Sequence, residues 1–257
     1  MKILTIGDVV ARTGREILAE KLMPFRERVD LVIANAENAA HGRGITKAVY
    51  EELSRFGVDG FTLGNHAWGC PDIMNVLKYQ KNIIRPANFE GDCPGSGSML
   101  LKASSGKLVG VINLIGRTYM RPAASPFFTA DRLIHELSKK TNIILADFHA
   151  EATSEKVAMG HYLDGRVSAV FGTHTHVQTA DETILPRGTG YITDLGMTGP
   201  GHSVLGMEKK PVIQNFLDGT PQRFEVANGR GQFCGCIFEI DEETGKTVSA
   251  ERIFIRE

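Results

Sequence analysis

The sequence predicts an α/β fold, a mixed sheet or sandwich with helices outside. Three observations carry this expectation: short apolar runs rich in Val and Ile, amphipathic stretches between them, and a change of pattern in the last third. Lys2–Ile6, Leu31–Ala34, Gly60–Leu63, Leu108–Leu114, Ile143–Ala146 and Ala169–Phe171 read as buried strands. Arg15–Arg28 reads as a helix that Pro24 ends or kinks. Thr46 is the expected cap of a helix through Arg55, with Gly57 as its stop. Pro71 predicts the start of a helix reaching Tyr79. Thr129 is the expected cap of Ala130–Lys139, and Thr153 or Ser154 that of Glu155–Leu163. Beyond residue 190 the pattern reads as strands and turns alone: Tyr191–Leu195, Val212–Phe216, Gln222–Val226, Phe233–Ile240 and Arg252–Ile255, expected to pair largely antiparallel. No internal repeat, low-complexity block or linker interrupts the chain, so one domain over residues 1–257 is expected.

Composition sets limits on function. The chain has 257 residues, 42% apolar and 23% charged, enough to bury a sizeable core without disulfides or structural metals. A metal site would then serve chemistry rather than hold the fold. A formal net charge of −1 with no basic tract gives no sign of general nucleic-acid or membrane binding. The apolar start is too short for a secretory signal, and no stretch approaches the roughly 20 apolar residues of a membrane helix, so a cytoplasmic protein is expected. Cys70, Cys93, Cys234 and Cys236 form no CxxC pair. Cys234 and Cys236, two apart in a strand-like run, read as small core residues on one face.

The chemistry is concentrated where the strands end. Ile3–Ile6 runs into Gly7-Asp8, Leu31–Ala34 into Asn35-Ala36-Glu37-Asn38, and Phe61–Leu63 into Gly64-Asn65-His66. Ile143–Ala146 runs into Asp147-Phe148-His149, and Ala169–Phe171 into Gly172-Thr173-His174-Thr175-His176. In α/β sheets such ends share one edge, outside which ligands bind. Carboxylates gathered there repel and desolvate at a cost that a cation removes. Asp8, Glu37, Asn38, Asn65, His149, His174 and His176 offer oxygen and imidazole nitrogen without thiolate, which suits Mn, Fe or Zn better than Mg or Ca. Seven donors exceed one four-coordinate zinc and fit two metals sharing a bridging carboxylate. His174 and His176, at i and i+2 on an extended strand, would face one site.

The order of these motifs resembles the calcineurin-like metallophosphoesterase superfamily, and within it the YmdB-like branch of bacterial cyclic-nucleotide phosphodiesterases. The resemblance is carried by Ile3–Val10, Ala34–Thr46, Thr62–Trp68, Asp147–Lys156, Phe171–Asp181 and Gly190–Pro200 and spans nearly the whole chain. Val10 stands where the broad superfamily has a His, and Glu37 where it has a bridging Asp; both departures look like the YmdB-like branch. The resemblance implies a four-layer α-β-β-α sandwich. It implies that Asp8, Glu37, Asn38 and His176 hold one ion and that Glu37, Asn65, His149 and His174 hold the other, with Glu37 bridging. His66 is then an unligated imidazole beside them. It also implies 2′,3′- or 3′,5′-cyclic nucleotides as substrates.

On this reading two ions bridge a water and lower its pKa toward about 7 for attack on phosphorus. His66 protonates the leaving oxygen as general acid. Arg43, in the His41–Gly44 turn, is the candidate phosphate contact, and His202 lies in a loop that could approach the site. His135 and His161 fall in expected helices and read as structural, while Trp68 either walls the pocket or packs. A barrel amidohydrolase would carry its HxH early, whereas here it comes late. A metal-binding regulatory protein that works through nucleotide or partner binding has the same donors, and strand-rich tails of this kind often pair into homo-oligomers.

Overall fold

The structure is a computed structural model that describes residues 1–257. The first part runs β1 (Lys2–Ile6), β2 (Asp8–Val9), α1 (Ala11–Arg26), β3 (Leu31–Asn35), α2 (Lys47–Arg55), β4 (Gly60–Thr62), α3 (Ile73–Tyr79) and β5 (Ile83–Ile84). The middle runs β6 (Ser98–Lys102), β7 (Leu108–Ile115), α4 (Pro126–Leu137), β8 (Ile144–His149), α5 (Thr153–Leu163) and β9 (Ala169–Thr173). The last part is β10 (Thr183–Ile184), β11 (Gly190–Ile192), β12 (Met197–Pro200), α6 (Lys209–Asp218), β13 (Gly231–Ile240) and β14 (Thr247–Arg256).

Two mixed sheets face each other, with order β2-β12-β13-β1-β3-β4-β5 in one and β10-β11-β9-β8-β7-β6 in the other. In the first, β1, β3, β4 and β5 are parallel neighbours. β13 is antiparallel to β1, β12 and β14, as the last third predicts. In the second, β7, β8, β9 and β11 run parallel.

Alternation of side chains along each strand makes the layers. Ile3, Leu31, Ile33 and Phe238 point inward and meet Val109, Val111, Leu145 and Phe171 of the other sheet. Leu4, Ile6, Val32 and Ala34 point outward, onto Ile17 and Leu18 of α1, Leu53 of α2 and Ile73 of α3. Ile112, Leu114 and Ile144 point outward from the second sheet onto Leu133 of α4 and Met159 of α5. Both faces of every central strand are therefore apolar, which is why these strands read as continuous apolar runs. The α-β-β-α order follows. Cys234 and Cys236 are free and fully buried in β13.

Several expectations are corrected. Val212–Phe216 is not a strand but the middle of α6. Its apolar residues Val212, Ile213 and Phe216 suit a helical period as well as a short strand, Pro211 is tolerated in a first turn, and Gly219 closes the helix at φ 72°. Gln222–Val226 is irregular: its chain bonds to the 206–208 loop, through Glu208 N–H to Glu225 O and Ala227 N–H to Gly206 O, so no sheet edge is available to it. Ser98–Lys102 is an edge strand that the apolar pattern does not announce. Helix α1 begins at Ala11, four residues early, and α4 begins at Pro126, whose ring suits a first turn, leaving Thr129 inside the helix.

The Thr46 cap is as expected, with Val49 N–H donating to Thr46 Oγ1 at 3.2 Å. Thr46→Ala should lower stability by about 1 kcal/mol in urea unfolding. An unchanged midpoint would show that the cap contributes nothing.

Candidate metal centre

The ends of β1, β3 and β4 in one sheet and of β8 and β9 in the other deliver the seven donors and His66 to one place. Asp8, Glu37 and His149 are at most 1% exposed and Asn38 is 2% exposed. His149 Nε2 lies 3.1 Å from Glu37 Oε1, 3.1 Å from His174 Nδ1 and 2.8 Å from Asn65 Oδ1. Such separations are those between ligands that share an ion about 2.0–2.2 Å from each. Glu37, His149 and His174 together form a group able to hold a metal. A second group adjoins it: His176 Nε2 is 3.8 Å from Asp8 Oδ1, and Asn38 lies beside them, its Nδ2 3.2 Å from His176 Nε2 and its Oδ1, the atom able to ligate, shared with His66. The carboxyl of Glu37 stands between the two, since Asn38 Nδ2 donates to its Oε1 at 3.3 Å.

One atom tests whether these residues suit a cation. Asp8 Oδ1 is buried and has no hydrogen-bond partner. A buried carboxylate oxygen left so is costly. Burial pushes the Asp8 carboxyl above its usual range, against the pull of His176 and His149. A metal ion beside it would satisfy the oxygen that the protein does not, and the mixed oxygen and imidazole donors suit such an ion.

Each imidazole turns one nitrogen to the cluster and ties the other elsewhere, as ligating histidines do. His149 Nδ1 lies 2.9 Å from Thr173 Oγ1, whose hydroxyl donates to Asp147 Oδ1 at 2.7 Å. This chain keeps a hydrogen on His149 Nδ1, so Nε2, which faces the cluster, is the nitrogen that would give up its proton to a metal. His174 Nε2 lies 3.1 Å from Glu151 Oε2, and His176 Nδ1 is 3.0 Å from Leu205 O. His66 differs. Its Nδ1 is 2.8 Å from Asn38 Oδ1, which leaves Nε2 for the pocket that His66 lines with Glu37, His174 and His176, a space of about 260 Å³.

The HxH segment reaches the site by a different route from the one its spacing predicts. β9 stops at Thr173, and His174 and His176 sit in a loop at φ 102° and 64°. These are unusual values for residues with a side chain, and something must hold them. The Lys156 ammonium and the Asp194 carboxylate do so, paired beneath the loop and both at most 2% exposed. Asp194 Oδ2 accepts from Thr175 Oγ1 at 2.7 Å, and Lys156 Nζ donates to Thr173 O at 2.8 Å. His174 N–H donates to Asp8 Oδ2 at 3.0 Å, which joins the loop to the opposite sheet. The two rings therefore serve different halves of the cluster instead of one point. Sequence reasoning misses Lys156, Asp194, Asp147 and Glu151 as parts of the site. Asp147 and Glu151 flank His149, and that adjacency is the only local signal they carry.

Gly64 allows the close approach. A Cβ there would collide with His149 Nε2 and the carboxyl of Glu37. Arg43 is exposed and is not among the donors; it lines an adjoining cleft with His66. Trp68 packs on Phe89 with ring centroids 6.1 Å apart. His135 and His161 lie in α4 and α5, and His202 is exposed in the loop after β12.

The charges are set against one another. Burial works against the charged form of Glu37, but His149 and His66 outweigh it and hold its carboxyl at about 2. Burial likewise disfavours the His149 imidazolium, yet Glu37 and Asp8 raise it to about 9. His174, desolvated and facing His149, drops to about 3. A metal on His149 Nε2 must displace the proton held there. Loading Mn at pH 8, below that value, should release about one proton, read by calorimetry in buffers of different ionisation enthalpy. The release should fade as pH rises past about 9. No release at pH 8 would remove His149 from the ligand set.

Comparison with known proteins places the chain in a family. A family profile described as YmdB-like protein matches residues 4–253. The 2′,3′-cyclic-nucleotide 2′-phosphodiesterase of Bacillus subtilis (strain 168) is 49% identical over 259 residues, covering 100% of this chain and 98% of its own. The crystal structure of a hypothetical protein from Thermus thermophilus matches with a TM-score of 0.94 at 43% identity, covering 100% of both chains. That of a novel phosphatase from Mycoplasma pneumoniae matches with a TM-score of 0.94 at 38% identity, covering 100% of this chain and 93% of the other. The chain belongs to the YmdB-like family.

Proposed function

We propose that this chain is a dinuclear metal phosphodiesterase that opens a cyclic nucleotide, 2′,3′- in preference to 3′,5′-, and that it works as a single domain. It is a hydrolase. The observation that carries the reading is the buried Asp8 Oδ1 without a partner, set beside the Glu37, His149 and His174 group. The activity of the B. subtilis relative favours the 2′,3′-cyclic substrate. No helix is long and apolar enough to cross a membrane.

Asp8, Asn38 and His176 would hold one ion, Asn65, His149 and His174 the other, and Glu37 both. Fe or Mn is favoured and Zn is compatible with the donors. Bound ions would supply charge for the phosphoryl oxygens and an acidic water. In the reaction an oxygen from water bonds to phosphorus, the P–O2′ bond breaks, O2′ takes a proton, and the proton that the water gives up passes to solvent, from which His66 is recharged. His66 delivers that proton from Nε2 while Asn38 Oδ1 orients its ring. Burial lowers the His66 imidazole. A phosphate anion in the pocket opposes burial and keeps the proton in place. Arg43, exposed beside His66, would meet the phosphate or its ester.

Leaving groups separate a proton donor from a merely orienting residue. On a 2′,3′-cyclic nucleotide, whose leaving oxygen is a basic alkoxide, His66→Ala should cost about 10²–10⁴-fold in kcat. On bis(p-nitrophenyl) phosphate, with its good leaving group, the loss should be far smaller. Equal losses would remove the general-acid role. Tight nucleotide binding without turnover by the Mn- or Fe-loaded wild type would favour a regulatory protein.

A further inference from the structure

The pocket over the donors, about 260 Å³, is smaller than the roughly 300–1,000 Å³ of small-molecule sites, and a whole nucleotide must extend beyond it. It opens into a cleft of about 840 Å³, with which it shares Gly42, His66 and Met207. Four arginines line that cleft, Arg12, Arg15, Arg43 and Arg223, against one carboxylate, Glu225. In a chain of net charge −1 this is a local concentration of positive charge. The first turn of α1 forms part of the wall and adds the positive end of the helix dipole. Phe224, 48% exposed, adds an aromatic ring among the cations.

We propose that this cleft binds the upstream nucleotides of a short single-stranded RNA whose 2′,3′-cyclic phosphate end is opened at the metal centre. The proposal rests on the function proposed above and names the substrate class of that site. The direction follows from His66. A general acid lies on the side of the leaving oxygen, so the sugar that carries O2′ stands toward His66, and His66 borders the cleft. The 5′-phosphodiester of that sugar then leads away from the metals and along the arginines. Phosphate recognition by Arg with an aromatic platform for a base is how single strands are held without sequence reading. The arginines are available for this. Arg43 forms no ion pair, and the Arg12–Glu16 and Arg223–Glu225 pairs are exposed on both sides, of the kind that contributes little. Arg15 is committed, to Glu52 and Ala39 O, and supplies charge without changing partner.

The test compares adenosine 2′,3′-cyclic phosphate with a triadenylate ending in a 2′,3′-cyclic phosphate, on the Mn-loaded full chain. The trinucleotide should show kcat/KM about tenfold higher or more, and its advantage should shrink with added salt, since each single-strand phosphate contact contributes a slope near −0.7. In Arg12→Ser/Arg223→Ser and in Phe224→Ser the ratio should fall toward one. These side chains are exposed, and losing a cation from the first turn of α1 favours the helix, so the variants keep their fold. A second arm measures equilibrium binding of the triadenylate 3′-phosphate against adenosine 3′-phosphate, with the same tenfold preference expected. Length-dependent binding with no turnover of either cyclic substrate would count against the phosphodiesterase reading while keeping the cleft. Equal kcat/KM and equal affinity for long and short ligands would overturn the proposal.

Discussion

Glu37 is the charge on which the centre depends. It is a carboxylate 1% exposed, among other buried polar groups, at the meeting point of two sheets. Such a group persists only with compensation. The protein supplies part of it through His149, 3.1 Å away, and through the His66 N–H, which donates to Glu37 Oε2 at 2.8 Å. The carboxylate of Asp8 is compensated less completely, with one oxygen accepting from His174 N–H and the other left without a donor. That imbalance invites a cation.

The four-layer fold makes this burial possible. A centre between two sheets draws donors from both, and each sheet is backed by helices that keep water from its outer face. β1, β3 and β4 bring Asp8, Glu37, Asn38, Asn65 and His66 from one side. β8 and β9 bring His149, His174 and His176 from the other. Strain is kept local. The positive-φ histidines lie directly above the Lys156–Asp194 pair, so a buried ion pair of doubtful value for stability has a clear value for geometry.

The site is asymmetric in its surroundings. Toward the core His149 is held by Thr173 and Asp147, which restrict its ring and tautomer, while His176 is held nearer the surface by the Leu205 carbonyl. Toward solvent the wall is His66 and the glycine turn at residue 42, and beyond it lie arginines. On the proposed function, chemistry is fixed on the inner side and substrate recognition is left to the outer one.

Much of this is legible in the sequence. Continuous Val- and Ile-rich runs announce strands buried on both faces, and polar residues directly after such runs announce a shared edge. That reading yields sheets with helices outside and the eight residues brought together at the centre, because both follow from local pattern and chain direction. It fails at Val212–Phe216, where a short apolar run suits helix and strand alike and only packing decides. It also fails to show how His174 and His176 approach, since positive φ is held by Lys156 and Asp194, which lie far from each other along the chain. Arg12, Arg43 and Arg223 are scattered along the sequence and form no tract. Residue identity and local order settle what donors the chain carries. Which of them touch, and which charges share a cleft, depends on contacts between distant segments that only the packed sheets create.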